Sequence, residues 1–400
     1  MLSLDQLRTS RYFMAFLGCM VALGPVAIDA YLPMMPAIAN YFQTDIIAAN
    51  LTMTAYLVGL SMGQFFGGAL SDQLGRKFIG IVGLSLFCLA TYFIIQAESI
   101  TSVQLLRAFQ AIGSGFVSVI CLAQVRDLFP KDQVMPKYAN VVLIVMLAPL
   151  FAPILGASLI QFGWQSLFIL LGVWGLIVLT IYVFCIPDTL SQRPDKFVVS
   201  DLYRSYLHVI KRRVDERWVA LRFLVFSAFQ GGLFLTFLTN AVLIYSEHFG
   251  QDAYRFAFIF GAHGLMLMLG NRIAILLVKT WSPLTVLKLS NWLQLLMTIT
   301  LTLIILADLE TIYTVMTMTL LIMGVSGIVM PTSPSIFIGY FDKNAGAAAS
   351  LNTTTTFLSG GLIGGFATIL SNGSLLPIFA TMAASCLGAR IALSGIQETD

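Results

Sequence analysis

A chain of 400 residues that is 58% hydrophobic and only 10% charged, with a mean hydropathy of +0.88, is not a water-soluble globular domain, because such domains carry about 25% charged residues. The net charge of +3 comes from basic residues gathered in one set of loops, which is a topology signal and excludes a nucleic-acid partner. Five cysteines (Cys19, Cys88, Cys121, Cys185 and Cys386) all lie inside apolar runs without C-x-x-C spacing, so neither disulfides nor a metal centre is expected.

Arg8 and Arg11 precede the first apolar run, and no small-residue cleavage site follows, so this run reads as an uncleaved anchor. Within it, "LGCMVALGPVAIDAYLPMMPAIANYF" (Leu17–Phe42) is long enough to cross a bilayer and carries one carboxylate, Asp29. A charged side chain in hydrocarbon costs at least about 2.5–3.5 kcal/mol, which marks Asp29 as a functional candidate. Tyr31 and Met34 follow closely and are candidates for a substrate cavity, as is Tyr56 in the second run.

The loop after the second run reads "GGALSDQLGRKF". Gly67 and Gly68 would let helices approach closely, and Gly75 would permit a tight turn. Asp72 can accept from a helix N-terminus, and Arg76 is expected to pair with Asp127 in "VRDLF" at the end of the fourth run. These contacts would close the cytoplasmic side in one state and break when it opens.

The fourth run places Arg107, Gln110, Ser114 and Ser118 on one helical face. Such a polar stripe faces protein or water rather than lipid, and its serines suit either cavity lining or helix–helix hydrogen bonds. Asp29 lies roughly seven residues before the outer end of its span and Arg107 about five past the outer end of its own. At 1.5 Å per residue both fall about 7–11 Å below the outer surface, so the two are expected to meet. A buried carboxylate beside a guanidinium feels opposing pulls and can gain or lose a proton when a substrate arrives. A static ion pair that fixes helix packing is the other reading.

The fifth run carries "APLFAPILGAS", in which Pro149 and Pro153 remove two backbone donors and Gly156 offers a smooth face. In all, twelve runs of spanning length are expected. Six lie near 12–36, 47–70, 78–96, 102–124, 137–160 and 164–186. Six more lie near 219–246, 254–278, 283–306, 311–338, 345–370 and 374–394. The organisation is therefore a six-helix half (1–186), a polar linker (187–218) and a second six-helix half (219–400). The linker holds Arg193, Lys196, Arg204, Lys211, Arg212, Arg213 and Arg217 and is expected to include an amphipathic surface helix. "GLSMGQFFGG" and "GLMLMLGNRI", at corresponding places in the two halves, hint at an internal repeat. Gln230, Asn240 and His263 are further cavity candidates. His263 could titrate near neutral pH, or be a hydrogen-bonded structural residue.

Arg8, Arg11, Arg76, Lys77, Arg126, Lys131, Lys137, the linker, Lys279, Lys343 and Arg390 share one side, and the opposite loops carry almost no basic residues, Arg255 being the exception. The positive-inside rule assigns the basic side to the cytoplasm together with both termini.

These motifs together resemble the major facilitator superfamily over nearly the whole chain. "GGALSDQLGRK" is similar to its loop 2–3 signature through Gly68, Leu70, Asp72, Gly75, Arg76 and Lys77. "LLRAFQAIGSG" is similar to its fourth-span motif through Arg107, Gln110 and Gly113, with Ala111 in place of a glycine. "APLFAPILGA" resembles the fifth-span antiporter motif through Pro153 and Gly156, with alanines for other glycines. "GPVAIDAYLPMMPAI", "FGWQSLF", "IPDT" and "NAGAAASLN" resemble the bicyclomycin/chloramphenicol-resistance (Bcr/CflA) group of drug–proton antiporters.

The resemblance implies an all-α membrane protein with twelve spans, alternating access, and export of small amphipathic compounds in exchange for protons. It implies Asp29 as proton carrier, Arg107 as its partner, and Asp72 and Arg76 as parts of the cytoplasmic gate. A monomer in a bacterial inner membrane, driven by the proton gradient with no cofactor, is expected. A dedicated exporter of a metabolite such as a siderophore is an alternative. Against a membrane enzyme or sensor stand the lack of a separate folded domain, of a metal-ligand cluster and of a nucleophile–base pair.

Overall fold

A run of some twenty apolar residues has no water with which to satisfy its peptide groups, so it closes its hydrogen bonds internally as a helix. The computed structural model describes residues 4–190, 206–211, 218–341 and 345–396. Among the described residues there is no strand, and twelve helical segments are long and apolar enough to span a membrane. The first six spans are Tyr12–Tyr41, Ile46–Leu74, Arg76–Ile95, Ile100–Leu128, Asp132–Phe162 and Gln165–Cys185. The second six are Val219–His248, Ala253–Leu277, Pro283–Leu306, Ile312–Gly339, Ala345–Ser371 and Leu376–Ser394. Their starts are set by side chains that cap free backbone donors. Asp45 accepts from the Ala48 N–H (2.7 Å), and Ser99, Asp252, Ser282 and Thr311 act similarly on the fourth, eighth, ninth and tenth spans.

The chain divides into two compact units, Met1–Val198 and Val199–Asp400. Of the expected linker, Arg193, Lys196, Arg204, Arg212, Arg213 and Arg217 lie outside the described residues, as does Lys343. A helical turn at 206–210 is described there, with Val209 fully buried.

Each unit repeats one packing scheme. In the first, span one packs on five, two on four, and three on six; in the second, seven packs on eleven, eight on ten, and nine on twelve. Glycines permit the closest approaches. A Cβ on Gly63 would reach the Gly115 Cα at 3.0 Å, and one on Gly270 would reach the Gly327 Cα at 3.0 Å. Gly63 and Gly270 lie within the two similar decapeptides but at different places in them, so the contacts between spans two and four and between eight and ten are alike in kind without matching residue for residue. Gly67 packs likewise on Phe116 and Val119, whereas Gly68 faces open space and brings no helix close.

Two spans of the first unit are interrupted. The first is helical over Arg11–Asp29, turns at Ala30 and Tyr31, forms a 3₁₀ turn over Leu32–Met34 and resumes over Met35–Tyr41. Pro33 and Pro36 lie where the ladder restarts, in first-turn positions that need no N–H. The fifth is helical over Lys131–Met146 and again over Ala148–Leu159. Its break falls at Leu147, ahead of the two expected kinking prolines, because Pro149 opens the second segment and only Pro153 lies inside it. Pro331 and Pro334 lie within one continuous helix, Ile312–Gly339.

Candidate functional site

The fourth span shows two faces. Leu105 and Phe109 are 61% and 51% exposed, as lipid-facing residues are, while Arg107 and Gln110 are wholly buried. Five spans of the first unit converge on Arg107. One terminal nitrogen donates to the Ala27 carbonyl (3.0 Å) of the first span, the other to Gln110 Oε1 (2.7 Å). Gln110 in turn donates to the Thr91 hydroxyl of the third span (2.7 Å). The guanidinium carbon lies 4.4 Å from the ring centre of Tyr31 and 4.2 Å from that of Tyr56, with Phe168 of the sixth span at 5.9 Å. Nε has no hydrogen-bond partner among the described residues.

Asp29 ends the first helical segment, 5% exposed, and makes no ion pair among the described residues. The expected direct contact with Arg107 is thus not formed in this conformation. The matching depths hold, but the space beside the guanidinium is filled by Tyr31, Tyr56 and the Ala27 carbonyl. Depth arguments fix height along the bundle and not the direction in which a side chain leaves its helix. The carboxyl also stands at the end of a helical segment where backbone carbonyls, not amides, are free.

Tyr31, Met34, Tyr56 and Gln110, expected around a substrate cavity, are all fully buried in the packing of the first unit. The Tyr31 and Thr52 hydroxyls lie 2.7 Å apart, and the Tyr56 hydroxyl donates to the Gly24 carbonyl (3.2 Å). Ser114 packs against Gly24 and is 5% exposed. The aromatic partners of Arg107 were not foreseen; the available signal was two tyrosines on neighbouring spans at the depth of a buried arginine.

At the opposite end of the unit, Gly75 turns the chain with φ 101°, a left-handed value that favours glycine. The next residue, Arg76, is the centre of a charge cluster. It pairs with Asp72 (2.5 Å) and through Nε with Asp127 (3.0 Å), and donates to the Ser71 hydroxyl (2.7 Å). Asp127 also accepts from Thr189 (3.1 Å). Asp188 accepts from the backbone N–H of Arg76 (3.0 Å) and so caps the third span, while Tyr182 donates to the Arg76 carbonyl (3.2 Å) and accepts from Gln124 (2.9 Å). Sequence reasoning missed Asp188 and Tyr182 at this cluster. The signal was in "IPDT", an acid placed just past a span and free to cap a neighbour. Beside this cluster a cavity of about 450 Å³ is lined by Arg8, Asp127, Phe129, Gln133 and Lys137.

In the fifth span, Gly156 lies against Ala30 and Pro33, at the interruption that follows Asp29. Pro149 and Pro153 begin and continue the segment that presents it.

The candidates of the second unit are bound into its interior. His263 Nδ1 donates to the Ile259 carbonyl (2.7 Å), leaving Nε2 as an acceptor that faces the hydroxyls of Thr319 (2.9 Å) and Tyr245 (3.3 Å). Its ring lies 4.7 Å from that of Phe237, and Tyr245 belongs to a π-helical turn over Leu243–His248. Asn240 donates to the Thr236 carbonyl (2.9 Å) and accepts from Thr368 (2.8 Å), joining spans seven and eleven. Gln230 donates to Gln294 (3.1 Å), which donates to Ser326 (3.0 Å). No group of described residues is placed to hold a metal ion.

A family model described as Major Facilitator Superfamily matches residues 12–390. The chain is 24% identical over 385 residues to the bicyclomycin resistance protein homolog of Haemophilus influenzae, covering 95% of each chain. It is 31% identical over 183 residues to the multidrug resistance protein MdtL of Shewanella sp. strain ANA-3, covering 46% of each. Among solved structures it superposes on the peptide transporter POT in complex with sulfate with a TM-score of 0.77, at 12% identity and 98% coverage of both chains. It superposes on the D-xylose–proton symporter with a TM-score of 0.74, at 13% identity and 96% and 97% coverage. At such identities these structures establish the likeness of fold alone.

Proposed function

Because the chain belongs to the Major Facilitator Superfamily, and is thereby a membrane transporter of small molecules, we propose that it exports amphipathic compounds, antibiotics among them, in exchange for protons. The observation that carries this reading is Asp29, a carboxyl buried in a spanning segment, without an ionic partner among the described residues, at the interruption of the first span. A carboxyl so placed can be carried neutral while sealed from water and can lose its proton when it meets solvent. In the outward-facing state Asp29 takes up a proton as cargo leaves. In the inward-facing state arriving cargo displaces that proton to the cytoplasm.

Gly156, from the motif that resembles those of antiporters, seats the fifth span on the interruption beside Asp29 and can transmit movement there. The cluster of Arg76, Asp72 and Asp127, with Gly75 at its turn, acts as the cytoplasmic gate. The basic loops support an orientation with both termini on the cytoplasmic face, in keeping with a transporter of a bacterial inner membrane. The likeness to bicyclomycin and multidrug resistance proteins supports drug cargo.

The test expresses wild type and Asp29→Asn at equal membrane levels in an efflux-deficient bacterium. Wild type should raise resistance to bicyclomycin or chloramphenicol, and everted vesicles holding it should release protons on drug addition; the variant should do neither. Gradient-driven drug efflux at the wild-type rate by Asp29→Asn overturns the reading.

A further inference from the structure

Arg107 is wholly buried, and its charge is met by aromatic rings where a carboxylate would be the stronger partner. We propose that Tyr31 and Tyr56 are positioning residues for proton exchange: their rings hold the Arg107 guanidinium away from Asp29, so that the carboxyl keeps its freedom to bind and release a proton. The proposal rests on the reading of Asp29 as proton carrier.

Three observations lead to it. The first is energetic. A buried cation is costly unless compensated. Desolvated cation–π contacts with two rings, together with the Ala27 and Gln110 acceptors, give the guanidinium a seat of its own. The guanidinium therefore has no need of Asp29.

The second is that each tyrosine is tied down at its hydroxyl. The Tyr31 hydroxyl meets Thr52, and its ring meets that of Phe168 edge-on at 6.0 Å; the Tyr56 hydroxyl reaches the Gly24 carbonyl. The third is register. Tyr31 stands two residues after Asp29, within the interruption of the first span, and Tyr56 bonds the same span five residues before Asp29. Any movement of that span shifts the carboxyl and both ring contacts together.

The titratable and charged groups facing this locus are Asp29 and Tyr31 from the first span, Tyr56 from the second and Arg107 from the fourth. The third contributes Thr91 through Gln110, the fifth contributes Gly156 against Ala30, and the sixth contributes Phe168. Among the described residues no carboxylate contacts Arg107.

The experiment follows the Asp29 carboxyl itself, by infrared difference spectra of wild type minus Asp29→Asn in lipid over a pH series, and needs no cargo. In Tyr56→Leu, and in Tyr31→Leu, the freed guanidinium should settle on the carboxylate and move the titration midpoint acid by about 1–3 pH units. Tyr56→Phe keeps the ring and should titrate as wild type does. Should the leucine variants not fold, phenylalanines of increasing fluorination at position 56 weaken the ring's attraction for a cation at nearly constant shape. The midpoint should then fall stepwise with fluorination. An unmoved midpoint in the leucine variants, or no trend across the fluorinated set, overturns the proposal. A wild-type protein in which Asp29 shows no titration at all sinks the proton-carrier reading instead.

Discussion

Gly156 of the fifth span rests on the backbone of Ala30, the residue after Asp29, so that a Cβ at position 156 would stand 2.9 Å from the Ala30 carbonyl carbon. Three residues of little chemical character, Gly156, Ala30 and Pro33, thus join the motif of the fifth span to the interruption that carries the buried acid. A backbone atom cannot yield as a flexible side chain does.

Gly156→Ala is accordingly expected to force the first and fifth spans apart, at a cost of about 1–3 kcal/mol as for other overpacked sites. Thermal unfolding in detergent should show the loss, and drug efflux should fall with it. Wild-type melting and wild-type efflux together would show that the contact is slack.

Asp29→Asn should leave the melting temperature unchanged, because no ion pair is broken and the amide fills the same volume. Proton release coupled to bicyclomycin should disappear. A variant that unfolds would assign Asp29 a structural part that its surroundings do not indicate.

The two acids on Arg76 should contribute unequally. The Asp127 side chain is 18% exposed and that of Asp72 is 58% exposed, so water screens the second far more. A double-mutant cycle of Arg76→Ala with Asp127→Ala should give a coupling within about 0.5–3 kcal/mol, while the cycle with Asp72→Ala should give well under 1 kcal/mol. Cysteine labelling at this end should rise in Asp127→Ala more than in Asp72→Ala. Equal couplings would contradict the ordering.

His263→Leu should destabilise the second unit by about 1–3 kcal/mol, since it removes the side-chain donor to the Ile259 carbonyl and the ring nitrogen that faces the Tyr245 and Thr319 hydroxyls. His263→Gln should keep much of that bonding and transport with a wild-type pH profile. A changed pH profile in His263→Gln would give the imidazole a part in proton movement.

The apolar runs alone determined twelve spans and their approximate ends, because helix formation in hydrocarbon is local and needs only length and apolar side chains. The pairing of Arg76 with Asp127 could be read because both residues lie at span ends, where topology confines them to one side. The cap from Asp188 escaped notice because it depends on which span neighbours which, and that follows from the glycine contacts between helices.

At Asp29 and Arg107 the two levels part. Hydropathy identified both residues and set them at one depth, since a rise of 1.5 Å per residue converts sequence position into height. The rotation of each helix about its axis decided the rest. It turned the guanidinium toward Tyr31, Tyr56 and Ala27 and left the carboxyl at the interruption of its own span. Height is a property of one helix, whereas facing is settled only when five helices pack around the same charge.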